Sequence, residues 1–187
     1  VKIWIGLTKI LNETRMIVKI TAELAKLKGE IADEIKAELS KTIADDEKIS
    51  KETDGNLAKA NDQIGDLAKR LNAASNGITA PDKLAAQQEF EGSLMTLKEQ
   101  KQTEWDSTGE NADLAGSKGK LGGLNPETPV NELIDSLGEL EFTVTPLDTD
   151  IKDTNAQSGD LLKSLADLNA ELDDFNKNGR LGVLQGV

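Results

Sequence analysis

The sequence predicts a mostly α-helical fold, in which long N- and C-terminal coiled-coil helices pack together around an irregular, Gly-rich middle with at most a short β element. Three observations predict it. Apolar residues recur at seven-residue spacing near both ends, no proline precedes Pro81, and five glycines lie between Ser107 and Asn125. Leu, Ile, Val and Phe make up roughly a quarter of residues 1–187, enough to bury a core, so we expect a single folded unit.

The N-terminal helical region is expected over residues 1–76. Its apolar residues are spaced at alternating intervals of three and four residues, the pattern of a helix that packs on other helices. The seam residues of this region are Ile17, Ile20, Leu24, Leu27 and Ile31. The turn-forming sequence Asp54-Gly55-Asn56 falls where the pattern loses phase, which leaves two alternatives: a hairpin, or one long helix with a stutter.

A middle helix is expected over residues 81–106. It starts at Pro81, whose missing N–H is harmless in a first helical turn. Residues 107–147 are expected to be loop-rich. The glycines within Ser107–Asn125 predict a long flexible loop on the outside of the protein, and this loop is the expected surface for a protein partner.

The rest of the loop-rich section predicts two short elements. A short helix is expected over Pro129–Leu137, and it ends at a glycine. Leu140, Phe142 and Val144 then alternate with polar residues, the period of a half-buried β-strand that ends at Pro146.

The C-terminal helix and tail, residues 148–187, have the most regular periodicity in the chain. The helix is expected to end at Asn178-Gly179, a sequence that favours a left-handed cap. Its seam residues are Leu161, Leu165, Leu168, Leu172 and Phe175. We expect both terminal seams to mediate association of copies into a homo-oligomer, because one thin subunit has too little partner surface to bury them all.

Charge differs between the two ends of the chain. Residues 1–28 have six basic and two acidic side chains, a net charge of +4, whereas residues 128–187 have four basic and twelve acidic side chains, a net charge of −8. We expect this opposite charge to favour packing of the terminal helices on each other, within or between subunits.

The composition excludes several classes of function. Without Cys or His there is no thiol catalysis, no disulfide, no ordinary zinc site and no Ser-His-Asp triad. A net charge of −12 and only two Trp and three Phe argue against a nucleic-acid surface. Adjacent acids such as Asp45-Asp46 diverge on a helix and are expected on solvated faces. We therefore expect no enzymatic activity, no cofactor and no nucleic-acid partner.

One local pattern is similar to an EF-hand calcium loop in its spacing. Asp174, Asn176 and Asn178 occupy positions 1, 3 and 5, and a glycine occupies position 6. Gln185 replaces the bidentate glutamate of position 12, and no exit helix follows. We expect a helix cap followed by a tail, with weak calcium affinity at most.

The segment Val1–Ile20 is both apolar and basic, and it contains Trp4. Such a segment can lie on an anionic membrane. Packing against partner helices is favoured here, because the seven-residue spacing continues without a break from this segment to Leu39.

The layout of two seam-bearing terminal helices around a Gly-rich middle is similar to that of flagellin-like axial proteins. At this size it resembles the filament and needle-tip subunits of type III secretion systems. The part that most resembles their C-terminal helix is Leu161–Phe175, preceded by Thr154-Asn155-Ala156-Gln157-Ser158. The resemblance implies non-enzymatic self-assembly outside the cell. Two other classes stay open: a membrane-active helical toxin component that inserts Val1–Ile20, and a cytoplasmic coiled-coil scaffold or chaperone.

Overall fold

The computed structural model describes residues 2–75, 81–103 and 107–178. It confirms the mostly α-helical class: apart from a connection at residues 123–129, every described residue is helical, and none forms a strand. The four helices are α1 (Lys2–Ser75), α2 (Pro81–Thr103), α3 (Ser107–Gly122) and α4 (Val130–Asn178).

The first helix, α1, is continuous over 74 residues, so the hairpin alternative is wrong. It passes through Asp54-Gly55-Asn56 without a turn. Its most buried positions recur every seven residues without losing phase, at Ala32, Leu39, Asp46, Thr53, Ala60 and Leu67. Two members of this series, Asp46 and Thr53, are polar, which is why the apolar pattern alone is interrupted there.

The flexible loop expected over Ser107–Asn125 is wrong, because residues 107–122 form α3. Leu114, Ser117 and Leu121 are buried at three- and four-residue steps, so α3 packs one face of its helix although it contains several glycines. The connection to α4 is short. In it, the Glu127 backbone N–H donates a hydrogen bond of 2.9 Å to Asn125 Oδ1, a local Asx turn.

The fourth helix, α4, replaces the expected short helix, strand and separate C-terminal helix with one helix of 49 residues, so those element boundaries are wrong. Phe142 is 84% exposed, whereas Leu140 and Val144 are buried. The true period is therefore helical, and Pro146 lies inside the helix on its exposed side. Two complete heptad series are buried along α4: Leu137, Val144, Ile151, Ser158, Leu165 and Leu172, and Leu140, Leu147, Thr154, Leu161, Leu168 and Phe175.

The chain divides into two compact units, each built from two segments of sequence. The second unit comprises Asp46–Ala112 and Thr149–Val187. In this unit α1 and α4 run parallel, because Thr53 pairs with Asn155 and Arg70, further along α1, pairs with Asp173. The apolar core is completed by α2, whose Phe90 ring contacts the Phe175 ring edge-on at 5.9 Å between centroids.

The first unit comprises Val1–Asp45 and Asp113–Asp148. Its buried residues lie between Ala32 and Ile43 on α1, between Leu114 and Leu121 on α3, and between Leu137 and Leu147 on α4. The side chain of Lys28 donates a hydrogen bond of 2.9 Å to Asn131 Oδ1, at the second residue of α4. This contact marks the level on α1 at which α4 begins.

Candidate assembly interface

A large apolar surface lies on α1 ahead of the Lys28–Asn131 contact. Twelve large hydrophobic side chains between Trp4 and Ile31 are 49 to 76% exposed. Ten of them form one continuous surface, which we call the N-terminal apolar face: Trp4, Leu7, Ile10, Leu11, Ile17, Val18, Ile20, Leu24, Leu27 and Ile31. Contiguous apolar surface on this scale is typical of interaction sites rather than of ordinary protein surface.

The position of α4 explains this exposure. Since α4 begins at Val130 and contacts α1 at Lys28, residues 4–27 of α1 precede the level at which packing starts. At 1.5 Å per residue these 24 residues extend over about 36 Å. The first deeply buried side chain of α1 is Ala32.

The N-terminal apolar face is wide. Successive residues of a helix are rotated by about 100°, so residues seven apart share a column along the helix. The column of Ile17 lies about 60° from that of Ile20 on one side and about 100° from that of Val18 on the other. The face therefore covers an arc of about 160°, wider than the narrow a/d stripe of a two-stranded coiled coil.

Two threonines within this arc do not make it polar. The Thr14 hydroxyl donates a hydrogen bond of 2.8 Å to the backbone oxygen of Ile10, and the Thr21 hydroxyl donates one of 2.8 Å to that of Ile17. Each hydroxyl is therefore satisfied within its own helix. A partner that covers these residues need not supply a hydrogen bond to either side chain.

The basic residues of this segment lie at the sides and back of α1. Lys19 and Lys26 share the column opposite Ile17, and Arg15 lies beside the Val18 column. Lys26 Nζ lies 3.8 Å from a carboxylate oxygen of Glu30 in an exposed i,i+4 pair, which contributes little to stability. Within the arc itself, Glu13 lies on the column of Ile20 and Lys28 on that of Thr21, and the other charged residues named here lie outside it.

The structure separates the two halves of the seam predicted from the sequence. Ile17, Ile20, Leu24, Leu27 and Ile31 are exposed on α1. In contrast, Leu161, Leu165, Leu168, Leu172 and Phe175 are all buried in the core of the second unit. The C-terminal half of the seam is thus already covered within the chain and offers no free surface to another copy.

A section of polar side chains within the second unit was missed from the sequence. Asp46, expected on a solvated face, is fully buried, so that expectation is wrong. Nearby, the Thr53 hydroxyl donates to Asn155 Oδ1 at 3.0 Å, and Asn56 Nδ2 donates to Ser158 Oγ at 3.1 Å. The seven-residue spacing of Asp46 and Thr53 with the apolar core positions is the signal that could have revealed them.

These hydrogen bonds do not form a ligand site, because the partners satisfy each other between α1 and α4. Buried polar pairs of this kind in helical bundles specify how the helices align, since a shift would leave polar groups opposite apolar ones. We assign the section to alignment of α1 with α4.

The described residues of the calcium-loop sequence, Asp174 to Asn178, are helical. Asp174 and Asn176 lie in the last turns of α4, which extends to Asn178, and Gln185 lies outside the described residues. Within residues 2–75, 81–103 and 107–178, no group of three or more acidic side chains is placed to hold a metal ion. Among these same residues, no helix is long and apolar enough to cross a membrane.

Comparison with known proteins gives no match. No protein-family model, no curated protein and no solved structure matches this chain. Its function is therefore inferred from the surfaces and contacts of the molecule itself.

Proposed function

We propose that this protein is a non-enzymatic, self-assembling structural protein whose copies associate through the N-terminal apolar face. The observation that carries the proposal is the contrast along one repeating pattern. From Ala32 onward the heptad positions of α1 are buried within the chain, whereas between Trp4 and Ile31 apolar side chains at equivalent spacing remain in water. Removing such surface from water is the main driving force of protein association.

A second copy is the partner that best matches this face. Outside the segment, the other large hydrophobic side chains exposed among the described residues are Leu84 and Met95, eleven residues apart on α2, and Phe142 on α4. The N-terminal segment of another copy supplies an apolar surface of the same length and spacing. Association between like segments therefore buries the most apolar area that the described part of the chain offers.

More specifically, we propose that the protein is an exported filament or needle-tip subunit whose copies pack as coiled coils. The resemblance in layout to type III secretion and flagellin-like proteins supports this form. The absence of cysteine is compatible with an oxidising, extracellular setting. Under this proposal, the four-helix remainder of the chain is presented beside the assembled segments.

The test compares the full chain with a variant in which the face carries two charges. Ile17→Asp with Leu24→Asp places carboxylates at the centre of the face, where association would bury them without a partner. A matched control, Asn12→Asp with Lys19→Gln, makes the same change of two charge units on the opposite column. Light scattering after gel filtration measures the mass, and circular dichroism checks that both variants remain helical.

We expect the wild type and the control to elute well above the subunit mass of 20.1 kDa, and the Ile17/Leu24 variant to elute at that mass. Negative-stain images distinguish the forms of assembly, since long fibres support the filament form and a small closed oligomer supports a scaffold. A wild type that stays monomeric at high concentration contradicts the proposal.

A membrane-active component is a second candidate, and one observation favours it. Trp4 is 76% exposed on an apolar face bordered by basic residues, an arrangement found in helices that lie on anionic membranes. This candidate predicts sedimentation with vesicles that contain anionic lipid and leakage of their contents. Salt should weaken that binding, because it screens attraction between the basic residues and the lipid headgroups.

A further inference from the structure

We propose that the N-terminal apolar face is buried in a bundle of three or more copies, in which each segment contacts two neighbours through two different sets of side chains. This rests on the proposed function of self-assembly and adds the number of neighbours and the residues that meet each one. The two sets are defined by their columns on α1. The offset seam comprises Ile10, Ile17, Ile20, Leu24, Leu27 and Ile31, and the continuing column comprises Trp4, Leu11 and Val18.

The continuing column is in phase with the core of the chain's own fold. Seven-residue steps from Val18 lead through Ala25 to Ala32 and Leu39, which are buried in the first unit. The offset seam is not in phase with that core. Ile31 is 49% exposed although its neighbour Ala32 is buried, so the offset seam points away from the direction in which α1 packs within its own chain.

The second unit provides an internal measure of how wide an arc two neighbours cover. There α1 packs on both α2 and α4, and nearly all its buried and half-buried residues fall on the columns of Asn56, Thr53 and Ser50. These three columns cover an arc of about 120°. The N-terminal apolar face covers about 160°, so a single neighbouring helix would leave much of it in water.

The buried area leads to the same number of neighbours. A stripe about 40 Å long and 10 Å wide on one helix presents about 400 Å² to a single neighbour. Two copies paired in this way bury about 800 Å² in total, less than the 1,200–2,000 Å² of a stable interface. When each copy contacts two neighbours, it buries about 800 Å² of its own surface, which is the area that each partner buries in a standard stable interface.

The charge of the segment is compatible with like segments packing together. Lys19 and Lys26 lie on the column opposite Ile17, which remains at the outside of such a bundle. Their mutual repulsion acts through solvent and is reduced by salt. Association of copies should therefore strengthen as salt is raised, the opposite of binding to an anionic membrane.

The test uses sedimentation equilibrium of the full chain, with three paired variants. Leu11→Gln with Val18→Gln removes apolar side chains of the continuing column only. Ile17→Gln with Leu24→Gln removes apolar side chains of the offset seam only, and Asn12→Gln with Lys19→Gln is the control on the opposite column. Glutamine preserves helix propensity, so the far-ultraviolet circular dichroism should be equal in all four proteins.

We expect the wild type and the control to have at least three times the subunit mass of 20.1 kDa. The Leu11/Val18 and Ile17/Leu24 variants should both fall to the subunit mass, because in a closed bundle every contact joins the offset seam of one copy to the continuing column of the next. A wild-type dimer whose mass is unchanged in the Leu11/Val18 variant overturns this inference and leaves the proposed function standing. A monomeric wild type overturns both, and one that is monomeric in solution but sediments with anionic vesicles at low salt identifies the membrane alternative.

Discussion

Replacing Leu165 by alanine should cost the folded chain much more than replacing Leu24, although the sequence groups both in one seam. Leu165 is 0% exposed in the core of the second unit. Losing three buried carbon groups at about 0.8 kcal/mol each removes about 2.4 kcal/mol. A residual cavity of about 60 Å³ at about 24 cal/mol per Å³ adds about 1.4 kcal/mol. We therefore expect a loss of about 4 kcal/mol in the free energy of unfolding.

Leu24 is 51% exposed, so half of the transfer contribution and no cavity contribution apply, a loss of about 1 kcal/mol. Thermal unfolding followed by circular dichroism at low protein concentration measures the difference. With about 2–4 °C per kcal/mol for a chain of this size, Leu165→Ala should lower the midpoint by about 8–16 °C, and Leu24→Ala by a few degrees at most. Equal shifts would refute the assignment of Leu165 to the core. If Leu165→Ala left the midpoint unchanged but abolished assembly, Leu165 would belong to the interface between copies.

Two further predictions concern the helices themselves. Gly116→Ala should raise the free energy of unfolding by about 0.5–1 kcal/mol, because a Cβ there meets open space. Gly123→Ala should bring no such gain, because its Cβ would lie 3.2 Å from the Gly119 backbone oxygen. Urea denaturation of both variants tests this pair. In a double-mutant cycle, Arg70→Ala and Asp173→Ala should show a coupling of only about 0.2–1 kcal/mol, since both side chains are partly exposed; a coupling several times larger would contradict that exposure.

The sequence was most informative where buried positions are occupied by apolar residues. The three- and four-residue steps from Leu161 to Phe175 predicted the buried face of α4 correctly, because every core position there is aliphatic or aromatic. The same period continues through Asp46 and Thr53 on α1, but polar residues at core positions conceal it. Hydrophobic periodicity reveals a core only to the extent that the core is hydrophobic.

Local propensity was misleading in the middle of the chain. Each glycine in α3 costs about 1 kcal/mol relative to alanine, yet burial of Leu114 and Leu121 within the first unit offsets that cost. Phe142 suggested a strand because it alternates with Leu140 and Val144, but its ring is exposed. Exposure of a large apolar residue depends on tertiary structure, and the sequence alone does not contain it.

The candidate interface could be predicted only in part for a related reason. The offset seam around Leu24 and the seam around Leu165 have equivalent spacing and composition, so the pattern indicates packing for both. Which seam finds its partner inside the same chain depends on where α4 begins relative to α1. In the folded chain α4 begins beside Lys28, which bonds to Asn131, and this position is a property of the tertiary structure.

The parallel pairing of α1 with α4 has a consequence during synthesis of the chain. Hydrogen-bonded pairs between these helices join residues 99 to 103 positions apart, from Lys28–Asn131 to Arg70–Asp173. At about 5–20 residues per second, the ribosome needs about 5–20 s to produce the partner of a given α1 residue. Helix formation takes about a microsecond, so α1 emerges as a helix-forming segment with its whole apolar seam in water. For those seconds the α1 positions that α4 later covers stay exposed to solvent.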